Sequence, residues 1–500
     1  MLLERLNAIV WGVPALLLIL CAGVYLSIRT GAVQLRWLPR ALALFFSRCK
    51  PGKEEAGSIS SFQALCTALA ATVGTGNIAG VAGAILLGGP GAVFWIWISA
   101  LLGMVTKFAE TALCVRFRRQ QPDGSYYGGP MYMILDGLPK KWHFLAWCYG
   151  FCGLIAAFGV GNATQINACL TGFCQAARFL SLELTSAQTL LIAGVIALLV
   201  AVILLGGATR IARLSQWIVP FAAVGYLLLC VGVLVLRREQ LPGVIDSILR
   251  SALDPQAFTG GMVGSLWLTL RIGVSRGVFT NEAGMGTAGI AHAGASVSHP
   301  VEQGLMGIVE VFLDTIVICT MTALVILCSG VPLPYGRDIG AALTNDAFRL
   351  VYGGWTIIPL TLFLVCFAFA TMIGWGLYGI RCAQFLFGSG SVRFFVALQF
   401  CVSLISASLN TGTVWLLADI VNGLMSIPNL ISVLLLSPVL CAMIHEYKRK
   451  LGAVAAQGGT YEHFDQCKSL RTLSYEKIPP YGRCGGENGE EDLPAEHWSA

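Results

Sequence analysis

Residues 74–77 read Gly-Thr-Gly-Asn and interrupt an apolar stretch, Ala70-Ala-Thr-Val-Gly-Thr-Gly-Asn-Ile-Ala-Gly-Val-Ala-Gly83, that otherwise has the character of a membrane span. Each glycine costs a helix about 0.5–1 kcal/mol relative to alanine, and the β-branched threonine between them adds to that. A helix broken at such depth leaves free N–H groups on one side of the break and free C=O groups on the other. The first set suits a carboxylate and the second a cation. Unwound backbone is tolerated in hydrocarbon only where it is packed in protein or lines a polar cavity. The break is therefore the expected binding site for a substrate and an ion.

Further polar residues lie at membrane depth. Gly159-Val-Gly-Asn-Ala-Thr-Gln-Ile-Asn167 places three amide side chains within six residues of an apolar segment. Such side chains face a cavity or a partner helix. Gln165 offers a carbonyl or N–H to a substrate, or an interhelical hydrogen bond. In Ala370-Thr-Met-Ile-Gly-Trp375, Thr371 is a hard oxygen ligand suited to Na⁺. Trp375, one turn on, could wall a small pocket, although core packing is its ordinary use. Lys107 and Glu110, three apart on one helix face, can neutralise each other. Glu310 and Asp314 put two like charges on one face, with Arg271 and Arg276 as candidate partners. His292 and His299 are expected in a loop. Seventeen cysteines show no Cys/His metal spacing, so no transition metal is expected. Two matches to the dinucleotide fingerprint, at Gly74 and Gly284, lack the soluble strand–helix context that gives it meaning.

The elements that must position these residues are membrane helices. Charged residues make up 12% of the 500 residues, and mean hydropathy is +0.74. A soluble chain carries about 25% charge. The net charge of +6 therefore points to loops rather than to nucleic acid. Apolar runs predict about eleven spans. The first covers residues 9–28 and is read as a retained extra helix. The next five run from residue 60 to 236. After an outside loop, five more run from 260 to 444, beginning with a segment to Ala291 interrupted by Arg271, Arg276, Asn281, Glu282 and glycines. Arg29, Arg36, Arg40 and Arg48 follow the first span, and Arg116, Arg118 and Arg119 follow the third. The positive-inside rule then puts the N-terminus outside and the C-terminus in the cytoplasm. Residues 445–500 turn polar and are read as a disordered cytoplasmic tail. With the extra helix set aside, the interrupted segments are helices one and six of ten and point in opposite directions. That register defines a five-plus-five inverted repeat with discontinuous helices.

Several motifs carry a resemblance: Ala68-Leu-Ala-Ala-Thr-Val-Gly-Thr-Gly-Asn-Ile-Ala-Gly80, Gly88-Gly-Pro-Gly-Ala-Val-Phe-Trp95, Thr106-Lys-Phe-Ala-Glu110, Gly128-Gly-Pro-Met-Tyr132, Ser275-Arg-Gly-Val-Phe-Thr-Asn-Glu-Ala-Gly284 and Asp419-Ile-Val-Asn-Gly-Leu-Met-Ser-Ile-Pro-Asn429. Over roughly residues 8 to 445 the chain resembles the alanine or glycine:cation symporters. The resemblance implies the leucine-transporter fold and Na⁺-coupled, sometimes H⁺-coupled, uptake of alanine or glycine through a prokaryotic inner membrane. It implies that the substrate carboxylate meets Thr75, Gly76 and Asn77, with Gln165 and Trp375 in the pocket. The spans show no obvious anion for the substrate amine, so main-chain carbonyls around Gly277, Phe279 and Asn281 are expected to receive it. Sodium is expected between the carbonyls of Ala70 and Val73 and the Thr371 hydroxyl, while Thr72 and Asn77 resemble a second sodium site. Beyond the amino acid, the ion and the bilayer, no protein or nucleic-acid partner is expected. An enzyme needs a nucleophile–base or metal constellation, and none is legible. The alternative is a cation-coupled transporter of another small solute, such as proline or a nucleobase.

Overall fold

A capping box opens the first interrupted helix: the Gln63 N–H donates to Ser60 Oγ and the Ser60 N–H to Gln63 Oε1, both at 3.1 Å. The structure is a computed structural model describing residues 10, 12–49, 59–122, 124–254, 265–336, 340–408 and 411–456. Helix Ser61–Thr72 stops at Val73, whose backbone is extended with φ −75° and ψ 100°. A π-turn over Gly76–Gly80 leads into helix Val81–Gly88, and the two halves are bent by 52°. The expected break is therefore present.

The second interrupted segment is likewise two pieces. Helix Leu266–Asn281 ends on Glu282 in the left-handed region (φ 53°), and helix Thr287–Ala293 starts after Gly286 (φ 75°). The expected residues 260–264 of this segment lie outside the described residues. The two broken helices run antiparallel and are tied along their length. The Ser296 N–H donates to the Ile59 carbonyl at 2.8 Å at one end, and Thr269 Oγ1 to the Gly88 carbonyl at 2.8 Å at the other. Midway, a Cβ on Gly76 would lie 3.3 Å from the Thr280 methyl and 3.6 Å from the Phe279 ring.

Among the described residues, six helices are long and apolar enough to cross a membrane: Ala92–Arg116, Lys140–Phe179, Ser186–Leu205, Gly207–Leu236, Pro300–Ser329 and Gly354–Phe387. Two bent pairs, the first broken helix and Asp419–Leu435 with Ser437–Ala453, raise the number to eight. Pro14–Thr30, at the place of the extra helix, and Ser391–Ser406 are apolar but shorter. Length and hydropathy alone thus do not fix the count of eleven.

Two expected boundaries move. The eleventh span, expected to reach residue 444, is bent by 57° between Leu435 and Ser437. The helix after the bend, Ser437–Ala456, passes the expected start of the tail at His445; residues 457–500 lie outside the described residues. The helical propensity of His-Glu-Tyr-Lys-Arg-Lys-Leu carries it onward, because a charged segment forms helix readily once one face is packed.

Charge pairing also differs from expectation. Lys107 pairs with Glu310 at 3.2 Å, across helices, instead of with Glu110 three residues on. The second Glu310 oxygen accepts from His292 Nε2 at 3.1 Å, so neither Arg271 nor Arg276 is its partner. Gln303 Nε2 donates to His292 Nδ1 at 2.6 Å, and Ser61 Oγ donates to Gln303 Oε1 at 2.6 Å. Asn429 Nδ2 donates to Glu110 Oε1 at 2.6 Å. His292 and His299 are buried instead of lying in a loop, and His299 Nδ1 accepts the Val301 N–H at 3.1 Å to cap helix Pro300–Val311.

The chain from Lys107 through Glu310, His292 and Gln303 to Ser61 joins helix Ala92–Arg116, helix Pro300–Val311 and both broken helices. Sequence spacing cannot choose a partner on another helix, and a buried charge takes the one that satisfies it at depth. Removing one side of such a pair leaves an uncompensated charge, at a cost of about 3–5 kcal/mol. Lys107→Met is expected to lower the melting temperature of the purified protein sharply, and adding Glu310→Leu to recover most of the loss. Equal melting temperatures for Lys107→Met and the parent would show that the pair does not hold these helices.

Candidate functional site

The break at Gly74 is closed by a side chain three residues on. Asn77 Oδ1 accepts the Gly74 N–H at 2.9 Å, and Asn77 Nδ2 donates to the Asp314 carboxylate at 2.7 Å and to its carbonyl at 3.1 Å. Thr315 Oγ1 donates to the other carboxylate oxygen of Asp314 at 2.7 Å. Asp314 lies in a π-turn over Phe312–Cys319, which widens the helix where it faces the break. Asn77 is thus occupied in shaping the break, and its side chain is committed to neighbours within the protein.

The opening turn at Thr75, Gly76 and Asn77 is where N–H groups lack acceptors inside the helix. On the other side, helix Ser61–Thr72 ends with carbonyls that have no following N–H to accept from. Ala70, Thr72 and Val73 stand in that last turn. All six residues are buried. Thr72 Oγ1 turns back to the Ala68 carbonyl at 3.3 Å, so its side chain bonds within its own helix.

Thr371 and Gln165 converge on the same break from two other helices. A Cβ on Gly74 would lie 2.9 Å from Thr371 Oγ1 and 4.0 Å from both Gln165 Oε1 and the Thr72 carbonyl. Glycine is needed here because of that close approach. Thr371 donates to the Phe367 carbonyl at 2.9 Å, which leaves its lone pairs open. Gln165 Nε2 donates to the Val160 carbonyl at 3.1 Å and to Thr164 Oγ1 at 3.2 Å. Both bonds fix the amide so that Oε1 faces Gly74; that oxygen is buried and has no hydrogen-bond partner among the described residues. A buried acceptor left unmatched costs about 1–3 kcal/mol. Three oxygens therefore lie within 4.0 Å of one point at the break, an arrangement suited to a cation or an ammonium group.

Helix Gly354–Phe387 reaches this point because Gly374 lies on Ala71: a Cβ there would be 3.1 Å from the Ala71 nitrogen. One residue on, Trp375 is fully buried and donates its indole N–H to Glu282 Oε1 at 2.9 Å. Its Cβ packs on Gly161, where any side chain would collide with it. Gly161 lies in a π-turn over Gly159–Ala163, four residues before Gln165.

The second break contributes less directly. Phe279 faces Gly76 across the two breaks. Gly277 instead packs on Ser99, and the Asn281 amide lies against Gly103, both on helix Ala92–Arg116. Asn281 Oδ1 accepts the Ala283 N–H at 3.0 Å. The structure thus gathers Thr75, Gly76, Asn77, Phe279, Gln165 and Thr371 around the break, places Trp375 one turn beyond Thr371 against Gly161 and Glu282, and sets Gly277 and the Asn281 side chain toward a neighbouring helix. Two buried carboxylates stand beside the breaks: Glu282, which already interrupts the second segment in the sequence, and Asp314, which the fold brings to the first. A charged residue inside an apolar segment is a functional signal by itself, but its partner is set only by the fold.

An alanine at Gly74 would push its methyl into the space before Thr371. Gly74→Ala is expected to cut transport at least about tenfold, the cost of overpacking one methyl into a filled site. Gly80→Ala is the matched control, since nothing lies within 4 Å of a Cβ there. Equal activity of the two variants would show that the space beside Gly74 is not used.

Comparison with known proteins follows the same outline. The profile of the sodium:alanine symporter family matches residues 1–459. The sodium/alanine symporter AgcS of Methanococcus maripaludis is 41% identical over 446 residues, 88% of this chain and 95% of that protein. An uncharacterized transporter of Haemophilus influenzae is 42% identical over 475 residues, 94% of this chain and 99% of that protein. Among solved structures, MhsT in complex with L-phenylalanine superposes with a TM-score of 0.53 at 15% identity, covering 79% of this chain and 99% of that one. That likeness is one of fold.

Proposed function

This chain belongs to the sodium:alanine symporter family, and from that premise we propose that it carries alanine or glycine across the cell membrane together with Na⁺. It is a multi-pass membrane protein. We place its N-terminus outside and its C-terminus in the cytoplasm of a bacterial or archaeal inner membrane, on the distribution of arginines and lysines.

In this reading Na⁺ binds the carbonyl end of the first half-helix, at Ala70 and Val73, with the Thr371 hydroxyl as a side-chain ligand. The ion orders the break. The N–H groups of Thr75, Gly76 and Asn77 then receive the substrate carboxylate, favoured by the positive end of the half-helix that follows. Gln165 Oε1 accepts from the substrate ammonium, and Phe279 and Trp375 limit the side chain to a small one. Ion and substrate favour one arrangement of the same break, so each raises the affinity for the other. The broken helices, tied to helices Ala92–Arg116 and Pro300–Val311, then rock as a unit against the remaining helices to open the site inward.

The observation that carries this reading is the unmatched, buried Gln165 Oε1 beside Gly74, next to Thr371 and the Thr72 carbonyl. The oxygens gathered at Gly74 suit a small hard cation, so Na⁺ is the coupling ion proposed here.

Labelled alanine uptake into proteoliposomes is expected to rise with an inward Na⁺ gradient, to fall when the gradient is collapsed, and to be competed by unlabelled glycine but not by proline or a nucleobase. Uptake driven equally by a proton gradient without Na⁺ would overturn the choice of ion. Thr371→Ala removes one ligand, and the Na⁺ concentration for half-maximal uptake is expected to rise at least about tenfold, as loss of a single contact worth about 1.4 kcal/mol would require. An unchanged Na⁺ dependence would remove Thr371 from the site.

A further inference from the structure

We propose that Glu282 is a positioning residue for substrate selection: its carboxylate fixes the Trp375 indole, and through it the wall of the pocket. The proposal rests on the reading of Trp375 as that wall.

Glu282 occupies a left-handed backbone position at the second break, φ 53°, which costs a side-chain-bearing residue about 1–3 kcal/mol. A turn alone would be served by glycine, and the chain uses glycine for its other left-handed turns at this break, Gly284 (φ 95°) and Gly286 (φ 75°). A glutamate there indicates a task for the side chain. It is only 3% exposed, and a carboxylate at membrane depth is expensive. Both of its oxygens are used: Oε1 accepts the Trp375 indole N–H at 2.9 Å, and Oε2 accepts from Thr287 Oγ1 at 2.6 Å.

The two donors lie on different helices. Thr287 starts the second half of the broken helix, whereas Trp375 stands on helix Gly354–Phe387, which packs against the first break through Gly374. An indole N–H is a donor only, so a buried one must find an acceptor. A bond to a carboxylate is shorter and stronger than one to a neutral oxygen. With the N–H held by Glu282 and the Cβ pressed on Gly161, the indole has a defined orientation. Without the carboxylate, the ring can turn about its side-chain bonds to seek another acceptor, and the pocket wall moves with it. Glu282 touches no substrate in this arrangement; it acts through Trp375.

The test compares kcat/KM for alanine and for leucine, measured as Na⁺-driven uptake by the full chain in proteoliposomes. Glu282→Leu and Trp375→Phe are each expected to lower the alanine-to-leucine ratio at least about tenfold, the range over which a pocket wall discriminates side chains. The double variant is expected to lose no more than either single one, since both break the same bond. Glu282→Gln keeps an acceptor at Oε1 and is expected to restore the ratio to within about threefold of the parent, which a loss of general packing would not do. Thr287→Val frees only Oε2 and provides a milder variant should Glu282→Leu fail to fold; a smaller shift in the same direction is expected, and no shift would overturn the proposal. A ratio unchanged in Glu282→Leu but shifted in Trp375→Phe would overturn the role of Glu282 while leaving the pocket reading intact. A ratio unmoved in both Trp375→Phe and Trp375→Ala would overturn the pocket reading itself.

Discussion

A peptide group in hydrocarbon must have a partner within the protein. The rest of this structure depends on how that demand is met at Gly74. Its N–H is taken by the Asn77 side chain, and Asn77 is held in turn by Asp314. One amide thus closes the turn on itself and fastens it to another helix. What stays unmatched is one-sided: N–H groups at the start of the second half-helix and carbonyls at the end of the first. A zwitterion and a small cation supply the complement of each.

The same demand explains the polar residues that surround the break. Helix Pro300–Ser329 widens into a π-turn at Asp314, and the helix carrying Gln165 does so at Gly159–Ala163. Each π-turn lets a side chain face the break where a regular helix would turn it aside. Around them the four helices joined by the Lys107, Glu310, His292, Gln303 and Ser61 chain form a unit held by buried polar contacts. Helix Gly354–Phe387 packs against this unit, with Gly374 on Ala71, Thr371 at Gly74, and Trp375 bonded to Glu282. A body tied internally by buried charges is suited to moving as one piece.

Much of this was legible in the residues. Gly74-Thr-Gly-Asn announced a broken helix because glycine and threonine weaken helix wherever they stand. Thr371, Gln165 and Trp375 stood out because polar and amphipathic side chains are costly at membrane depth. The antiparallel register of the two broken segments followed from counting spans and arginines. The partners were not legible. Lys107 has Glu110 at helical spacing and still pairs with Glu310, because the choice is made between helices. His292 and His299 sit at the end of an apolar segment in the sequence, where a loop is the ordinary reading, yet packing buries both. Glu282 was visible at the second break but its partner Trp375 was not, and Asp314 was visible as a charge but not as a neighbour of the first break.

The sequence by itself determined that the chain spans a membrane, that two of its segments cannot stay helical throughout, and where they fail. These are properties of local backbone preference and of transfer into an apolar medium, and both are written residue by residue. Only the tertiary structure decided which side chains close the breaks, which carbonyls are left open, and which carboxylate holds Trp375. A hydrogen bond between residues 93 positions apart, such as that from Trp375 to Glu282, depends on how helices cross, and no local preference encodes that.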